Sequence, residues 1–375
     1  MEANQSSLKD IARVFLKLGI TAFGGPAAHI AMMRQEVVIK RQWLTEQHFL
    51  DLIGATNLIP GPNSTEMAIH IGQERGGWKG LLIAGICFIM PAVLITGFFA
   101  WLYKSYGQLP QVQPFIYGIK PAIIAVIIAA IYPLAEKSLQ TIELGIIGFA
   151  ALLLSLFGYS EILILFGAGF IAMGLLAIRL KRTNSSLTFL PFILTDNTSF
   201  FNLKNINLFF SFLKIGAILY GSGYVLFAFL DAELVSKGII THRQLIDAIA
   251  VGQFTPGPIF SSVTFIGYQV NGISGAIIST IGIFLPSFLF VALLNPLVRK
   301  MRGSKLFAAF LNAVNVASIA LILVVCYQLG KDSLTDWRQI AIAVCSAAIL
   351  FRFKEINSVF IILGGSAAGY LLLMI

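Results

Sequence analysis

Two segments of this 375-residue chain combine residue types and spacing suited to holding an anion inside apolar surroundings. In the first, Asn57, Pro60, Gly61 and Pro62 are followed at once by Asn63, Ser64 and Thr65; in the second, Gln253, Pro256, Gly257 and Pro258 lead into Ser261, Ser262 and Thr264. Proline lacks an N–H and clashes with the preceding helical turn, so each Pro-Gly-Pro predicts a broken helix. The half-helix that follows begins with unpaired amides and the positive end of the helix dipole, worth ~0.5 of a charge. Hydroxyl and amide side chains beside those amides can replace the hydration shell of a tetrahedral oxyanion. The competing reading is a plain kink, with Asn63 and Glu66 forming a capping box and the serines bonding back to their own helix. Two breaks at matching places favour the binding site.

Gly24, Gly25 and Pro26, following Phe23, interrupt another apolar segment and offer a further pair of half-helix ends. The matching Tyr220 to Gly223 keeps two glycines but has no proline, so the first copy is expected to carry the larger role. Lys17 and Lys214 precede these glycines within apolar faces, where a cation suits an anionic substrate; snorkelling to the headgroups is the alternative. His29, three residues beyond Pro26, is a candidate for proton coupling. So are Asp51, Glu66 and Asp247, although Asp51 and Asp247, which match each other, would serve equally as interface caps. Glu66 has no acidic counterpart in the second copy, which makes the second site the more anion-friendly.

Other chemistry is poorly provided for. Paired carboxylates at catalytic spacing and clustered His or Cys are missing from the sequence, so an intramembrane enzyme ranks last, and no metal or cofactor is expected. Cys87, Cys326 and Cys345 all fall in apolar segments without a CxxC pair and are read as packing residues. There is no GxxxxGK[ST] signature for direct use of ATP. A basic, aromatic-interleaved soluble module is also lacking, so nucleic acid is not an expected partner.

The elements that must position these residues are membrane spans. The composition is 57% hydrophobic and 11% charged, against roughly 45–50% and 25% for soluble domains. Gly80 to Tyr103, Gly275 to Val298 and Leu306 to Leu329 are uninterrupted apolar runs that reach the ~20 residues a crossing needs. The polar opening MEANQSSLKD lacks the charged and apolar regions of a signal peptide, so the first span is expected to direct insertion.

The chain also repeats itself. FLKLGITAFGGP from Phe15 matches FLKIGAILYGSG from Phe212, and Pro91 matches Pro286 after one residue of slippage. Residues 1–178 form a first repeat, 179–207 a polar cytoplasmic linker and 208–375 a second repeat. If each Pro-Gly-Pro segment is a re-entrant hairpin, each half crosses five times and the second inserts upside down. The expected fold is thus all-α: two inverted repeats, about ten transmembrane helices and the broken helices between them. Ile142 to Leu156 and Ile340 to Phe351 are short for full spans. With the loop after the first span inside, the 26 lysines and arginines divide sixteen inside and eight outside, with Lys17 and Lys214 within segments. The positive-inside rule favours that orientation, and the net charge of +9 attracts anions.

At GITAFGGPAAHI (Gly19 to Ile30), NLIPGP (Asn57 to Pro62) and GQFTPGP (Gly252 to Pro258) the sequence resembles the chromate ion transporters, in their long-chain form with two homologous halves. The resemblance spans most of the chain. It implies secondary active efflux of chromate, with sulfate a similar-shaped competitor, driven by an ion gradient across a prokaryotic plasma membrane. An oxyanion channel built on the same broken helices is the alternative. The expected partners are the oxyanion, the lipid bilayer and, as an allowed assembly, a second copy in a homodimer. YGSG in place of a second FGGP is a departure that puts any role of that proline in both halves in doubt.

Overall fold

The computed structural model describes residues 7–23, 25–107, 109–181, 204–221, 223–301, 304–353 and 356–374. Among these residues every regular element is helical. The first half contains α1 (Leu8–Thr21), α2 (Gly25–Arg34), a π-helical stretch (Gln35–Lys40), α3 (Glu46–Thr56), α4 (Asn63–Tyr106), α5 (Gln113–Ser138), α6 (Ile142–Leu156) and α7 (Glu161–Lys181). The second half repeats that order with α8 (Lys204–Ile218), α9 (Val225–Leu230), a π-helical stretch (Asp231–Val235), α10 (His242–Phe254), α11 (Ser262–Met301), α12 (Lys305–Ser333), α13 (Trp337–Arg352) and α14 (Ser358–Met374). A 3₁₀ turn, Ile259–Ser261, leads into α11.

Local chemistry sets several helix starts. Thr45 accepts from the His48 amide, Thr141 from Leu144 and Ser304 from Phe307. Thr241 and Gln244 form a reciprocal capping box. Such caps satisfy amides that would otherwise lack partners.

Among the described residues five helices are long and apolar enough to cross a bilayer: Asn63–Tyr106, Gln113–Ser138, Glu161–Leu180, Ile259–Leu293 and Lys305–Ser333. Leu94, Phe98, Ile146, Phe149 and Leu163 are exposed, as lipid-facing side chains should be. At ~1.5 Å per residue α6 spans about 22 Å and α3 about 16 Å, both less than the ~30 Å hydrocarbon core. α7 continues to Lys181 and α8 begins at Lys204, so both ends of the expected linker are helical and 182–203 lie outside the described residues. Cys326 is buried but Cys345 is exposed, so the packing role assigned to all three cysteines does not extend to Cys345.

α4 and α11 each fold back on themselves. Gly76 and Gly77 leave helical geometry with Gly77 at φ 56°, and Asn271 and Gly272 do the same with Gly272 at φ 61°. The two arms touch at glycines: a Cβ on Gly72 would stand 2.4 Å from the Gly80 carbonyl oxygen, and one on Gly267 2.3 Å from that of Gly275. Each Pro-Gly-Pro is therefore followed by a short arm, a hairpin bend and a long apolar helix.

The halves are not separate bodies. α5 of the first half packs against α13 and α14 of the second, while α12 of the second packs against α6 and α7 of the first. α4 and α11 meet between them. The main hydrophobic core draws on both halves, from Ile123 and Ile127 to Phe260 and Val314. The repeat boundary in sequence is not a boundary in packing.

Candidate functional site

The two kinds of break dock on each other across the halves. The Gly61 amide donates to the Leu219 carbonyl at 2.8 Å, and the Gly257 amide donates to the Ala22 carbonyl at 2.8 Å. Gly61 and Gly257 hold φ of 133° and 90°, outside the range comfortable for residues with a Cβ. Each Pro-Gly-Pro turn thus plugs into the glycine-rich break of the opposite half. Two of the amides freed by the prolines are spent on this mutual contact.

The first-turn amides of α4 are arranged differently. Thr65 and Glu66 close on the Pro62 carbonyl, and Pro62, at the N-cap, supplies no side-chain cap for Asn63 and Ser64. The capping box considered from sequence does not form: Asn63 Nδ2 donates to Asn57 Oδ1 at 2.6 Å, and Glu66 Oε1 instead accepts from Ser287 Oγ at 3.4 Å. His29 bridges the assembly. Its Nε2 lies 3.1 Å from the Ala22 carbonyl, which makes that nitrogen the donor, and its Nδ1 lies 3.2 Å from Ser64 Oγ.

These groups border a cavity of about 870 Å³ built from both halves. Gly25, Pro26, His29, Asn57, Pro62, Asn63 and Ser64 line it from the first half; Gly223, Tyr224, Pro258, Asn312, Asn315 and Ser318 line it from the second. Lys137, at the end of α5, is the one Lys or Arg among the described lining residues, and none of them is Asp or Glu. Such a wall suits an anion: it offers amide and hydroxyl donors and a cation without a competing carboxylate.

Several predicted residues lie behind that wall. Pro60, Gly61, Pro256 and Gly257 form the docked turns, and Thr65, Ser261 and Ser262 are fully buried beneath them. Thr96 Oγ1 lies 3.3 Å from Ser261 Oγ and 3.4 Å from Thr255 Oγ1, while Thr264 pairs with Thr280 at 2.8 Å. Gln253 meets the Tyr224 side chain. Gly24 lies outside the described residues.

Lys17 and Lys214 do not reach the cavity. Lys17 Nζ is 2.7 Å from Glu36 and Lys214 Nζ is 2.7 Å from Glu233; Lys40 and Lys237 complete the pairs at 3.0 and 2.5 Å. Each lysine therefore clamps the first helix of its half to the following π-helical stretch, away from the cavity lining. The Lys17 hydrogen bond holds the Glu36 carboxyl below the usual range. Asp51 is half-buried on α3 and away from the lining. Asp247 accepts from the Tyr103 hydroxyl at 2.6 Å.

That last contact is one of several hydrogen bonds that join the two halves away from the cavity lining. Arg243 donates to Gln113 at 2.6 Å, Gln269 to the Ala100 carbonyl at 3.0 Å, and the Tyr117 hydroxyl to Asp336. Each ties one half to the other near the start of α5. The cavity is lined instead by the far end of α5 (Lys137, Ser138) and the start of α12 (Ser304, Ala308). Sequence reasoning missed Lys137, Asn312, Asn315 and Ser318; the available signal was Asn312 and Asn315, three apart in an apolar helix.

The profile of the chromate transporter family matches residues 9–173 and 206–370, one copy on each half. The chain belongs to this family. It is 30% identical to a chromate transport protein of Cupriavidus metallidurans over 97% of this chain and 92% of the relative. It is 31% identical to a probable chromate transport protein of Synechococcus elongatus over 88% and 86%, and 28% identical to a chromate transport protein of Pseudomonas aeruginosa over 95% and 90%. No solved structure matches. This chromate transporter family member is a multi-pass membrane transport protein, and its relatives are named for transport rather than for chemical conversion.

Proposed function

We propose that this protein is a secondary active transporter that exports chromate, or a divalent oxyanion of similar shape such as sulfate, from the cytoplasm of a prokaryotic cell. The observation that carries this reading is the cavity between the docked breaks, which has the start of α4, with Asn63 and Ser64, and Lys137 on its wall and no carboxylate among the described lining residues. A dianion entering it meets the backbone amides at the start of α4, which no side chain caps. That is how a broken half-helix substitutes for hydration.

The charge pattern supports the direction. Lys137 and Ser304, which line the cavity, lie at helix ends that the positive-inside rule assigns to the cytoplasm. Tyr103, Gln113 and Arg243, which tie the opposite end, fall on the outer side under the same rule. The conformation is then open inward and closed outward, ready to load from the cytoplasm. An inverted repeat supplies the opposite state by letting the halves exchange conformations. The ties at the outer end favour a carrier over a continuous channel.

The test is uptake of labelled chromate and sulfate into inverted vesicles, with the pH gradient and the membrane potential dissipated separately. Saturable uptake with counterflow supports the carrier; rapid flux without counterflow would replace it with the channel. Asn63→Ala combined with Ser64→Ala should abolish uptake while leaving membrane insertion intact.

A further inference from the structure

Of the four acids and histidines that the sequence offers for coupling, one has surroundings unlike the rest. Glu66 is completely buried, in the first turn of the α4 arm, directly behind the cavity wall formed by Asn63 and Ser64. Oε1 has only the Ser287 hydroxyl at 3.4 Å, from the opposite half, and Oε2 has no partner. Among the described residues no Lys, Arg or His forms an ion pair with it. The groups facing it are the Ser287 hydroxyl from α11, the Tyr220 phenol from the break after α8, and the Gly61 backbone. His70, one turn further along the same arm, is buried and forms no ion pair with it. Asp247, by contrast, has the Tyr103 hydroxyl and two nearby cations, Lys120 and Arg243.

An ionised carboxylate inside a bilayer without a counter-charge is expensive. The acid form needs only an acceptor, and a hydroxyl or carbonyl close by is enough. A sodium ion would need several oxygens converging on it, and among the described residues only the Ser287 hydroxyl is hydrogen-bonded to the Glu66 carboxyl. The geometry points to Glu66 as the proton-carrying residue that couples an ion gradient to anion movement. This rests on the export reading above.

The coupling has a structural route. A Cβ on Gly61 would fall 2.2 Å from Glu66 Oε1 and 2.6 Å from Ser287 Oγ, so the carboxyl group is packed directly on the Pro-Gly-Pro turn. The Gly61 amide is in turn the donor to Leu219 in the other half. Losing the proton from the carboxyl leaves a charge that this dry contact cannot accommodate, and water must enter between α4 and α11. The turn and its docking are loosened together. The second copy has Ser262 at the matching place, which cannot take part in such a cycle. The proton is therefore handled by one half only.

The test uses the full chain in proteoliposomes with the membrane potential clamped. Glu66→Gln, which mimics the protonated acid, should still exchange labelled chromate for unlabelled chromate but lose accumulation driven by a pH gradient. Accumulation by Glu66→Gln equal to wild type would overturn the inference. Loss of exchange as well, in a variant that purifies as a single species and still binds chromate, would overturn it too, because Glu66 would then be required for movement of the anion itself. A second readout needs no substrate. Infrared difference spectra of the wild type between acid and alkaline buffer should contain a carboxylic-acid carbonyl band that Glu66→Gln lacks; an unchanged band there would reject the assignment even if chromate proved not to be the cargo. Failure of wild-type chromate transport with the band present and lost in Glu66→Gln would instead reject the export reading alone.

Discussion

His29 shows how much one side chain can hold in place. It joins the carbonyl of Ala22, which also receives the Gly257 amide, to the hydroxyl of Ser64 at the cavity wall. Replacing it with alanine leaves the buried Ser64 hydroxyl without its His29 partner and the Ala22 carbonyl with the Gly257 amide alone, a loss of about 1–3 kcal/mol. His29→Ala should melt at lower temperature in detergent and bind chromate more weakly than wild type, as followed by thermal shift and by labelled-ligand binding. Glu36 gives a pH dependence. Its folded-state pKa lies below the unfolded one, held down chiefly by Lys17. The stabilisation is therefore present above the unfolded value, near 4.3, and is lost as pH falls through the lower folded value. Thermal melts of wild type should show a steeper loss of stability on acidification below that range than melts of Glu36→Gln. The ion pairs of Lys17 and Lys214 were not legible from the apolar faces alone, because their partners lie nineteen residues on, across a break. The constant spacing of Lys17, Glu36 and Lys40 against Lys214, Glu233 and Lys237 carried the answer, since each pair differs by 197 positions.

Among the elements, the Pro-Gly-Pro breaks were legible because proline's missing N–H acts locally, whatever the tertiary context. Their docking onto the opposite half was not, since a backbone hydrogen bond between Gly61 and Leu219 leaves no pattern in side chains. The hairpin bends at Gly77 and Gly272 were signalled by Gly76-Gly77 and Asn271-Gly272, dipeptides typical of turns. What requires the glycines on either side is close approach: a side chain at Gly72 would be driven into the Gly80 carbonyl. Gly72→Leu should abolish the folded protein, with the monodisperse peak in size-exclusion chromatography replaced by aggregate. The cost comes from overpacking between two backbones that have no room to separate.

For the whole molecule, two repeats could be recognised from the sequence, but not the exchange of helices between them. α5 depends on α13 and α14, and α12 on α6 and α7. Neither half should persist alone. Residues 1–190 and 191–375 expressed separately should be degraded in the membrane, whereas their co-expression should give a stable complex that co-purifies. Recovery of either half as a stable, monodisperse species would count against the swapped arrangement. Part of the interface is apolar and unspecific in its sequence signal. The rest consists of single hydrogen bonds such as Tyr103 to Asp247 and Arg243 to Gln113, whose partners are 144 and 130 residues apart.

The reciprocal bonds from Gly61 and Gly257 have a consequence for how such a duplicated chain can change over time. Each clasp takes its donor from one copy and its acceptor from the other, so neither copy owns a complete hinge. Side chains can differ between the copies, as Glu66 and Ser262 do, but a shift in where one backbone turns must be answered in its twin. A chain of two such copies can specialise its two parts chemically while remaining mechanically a single machine.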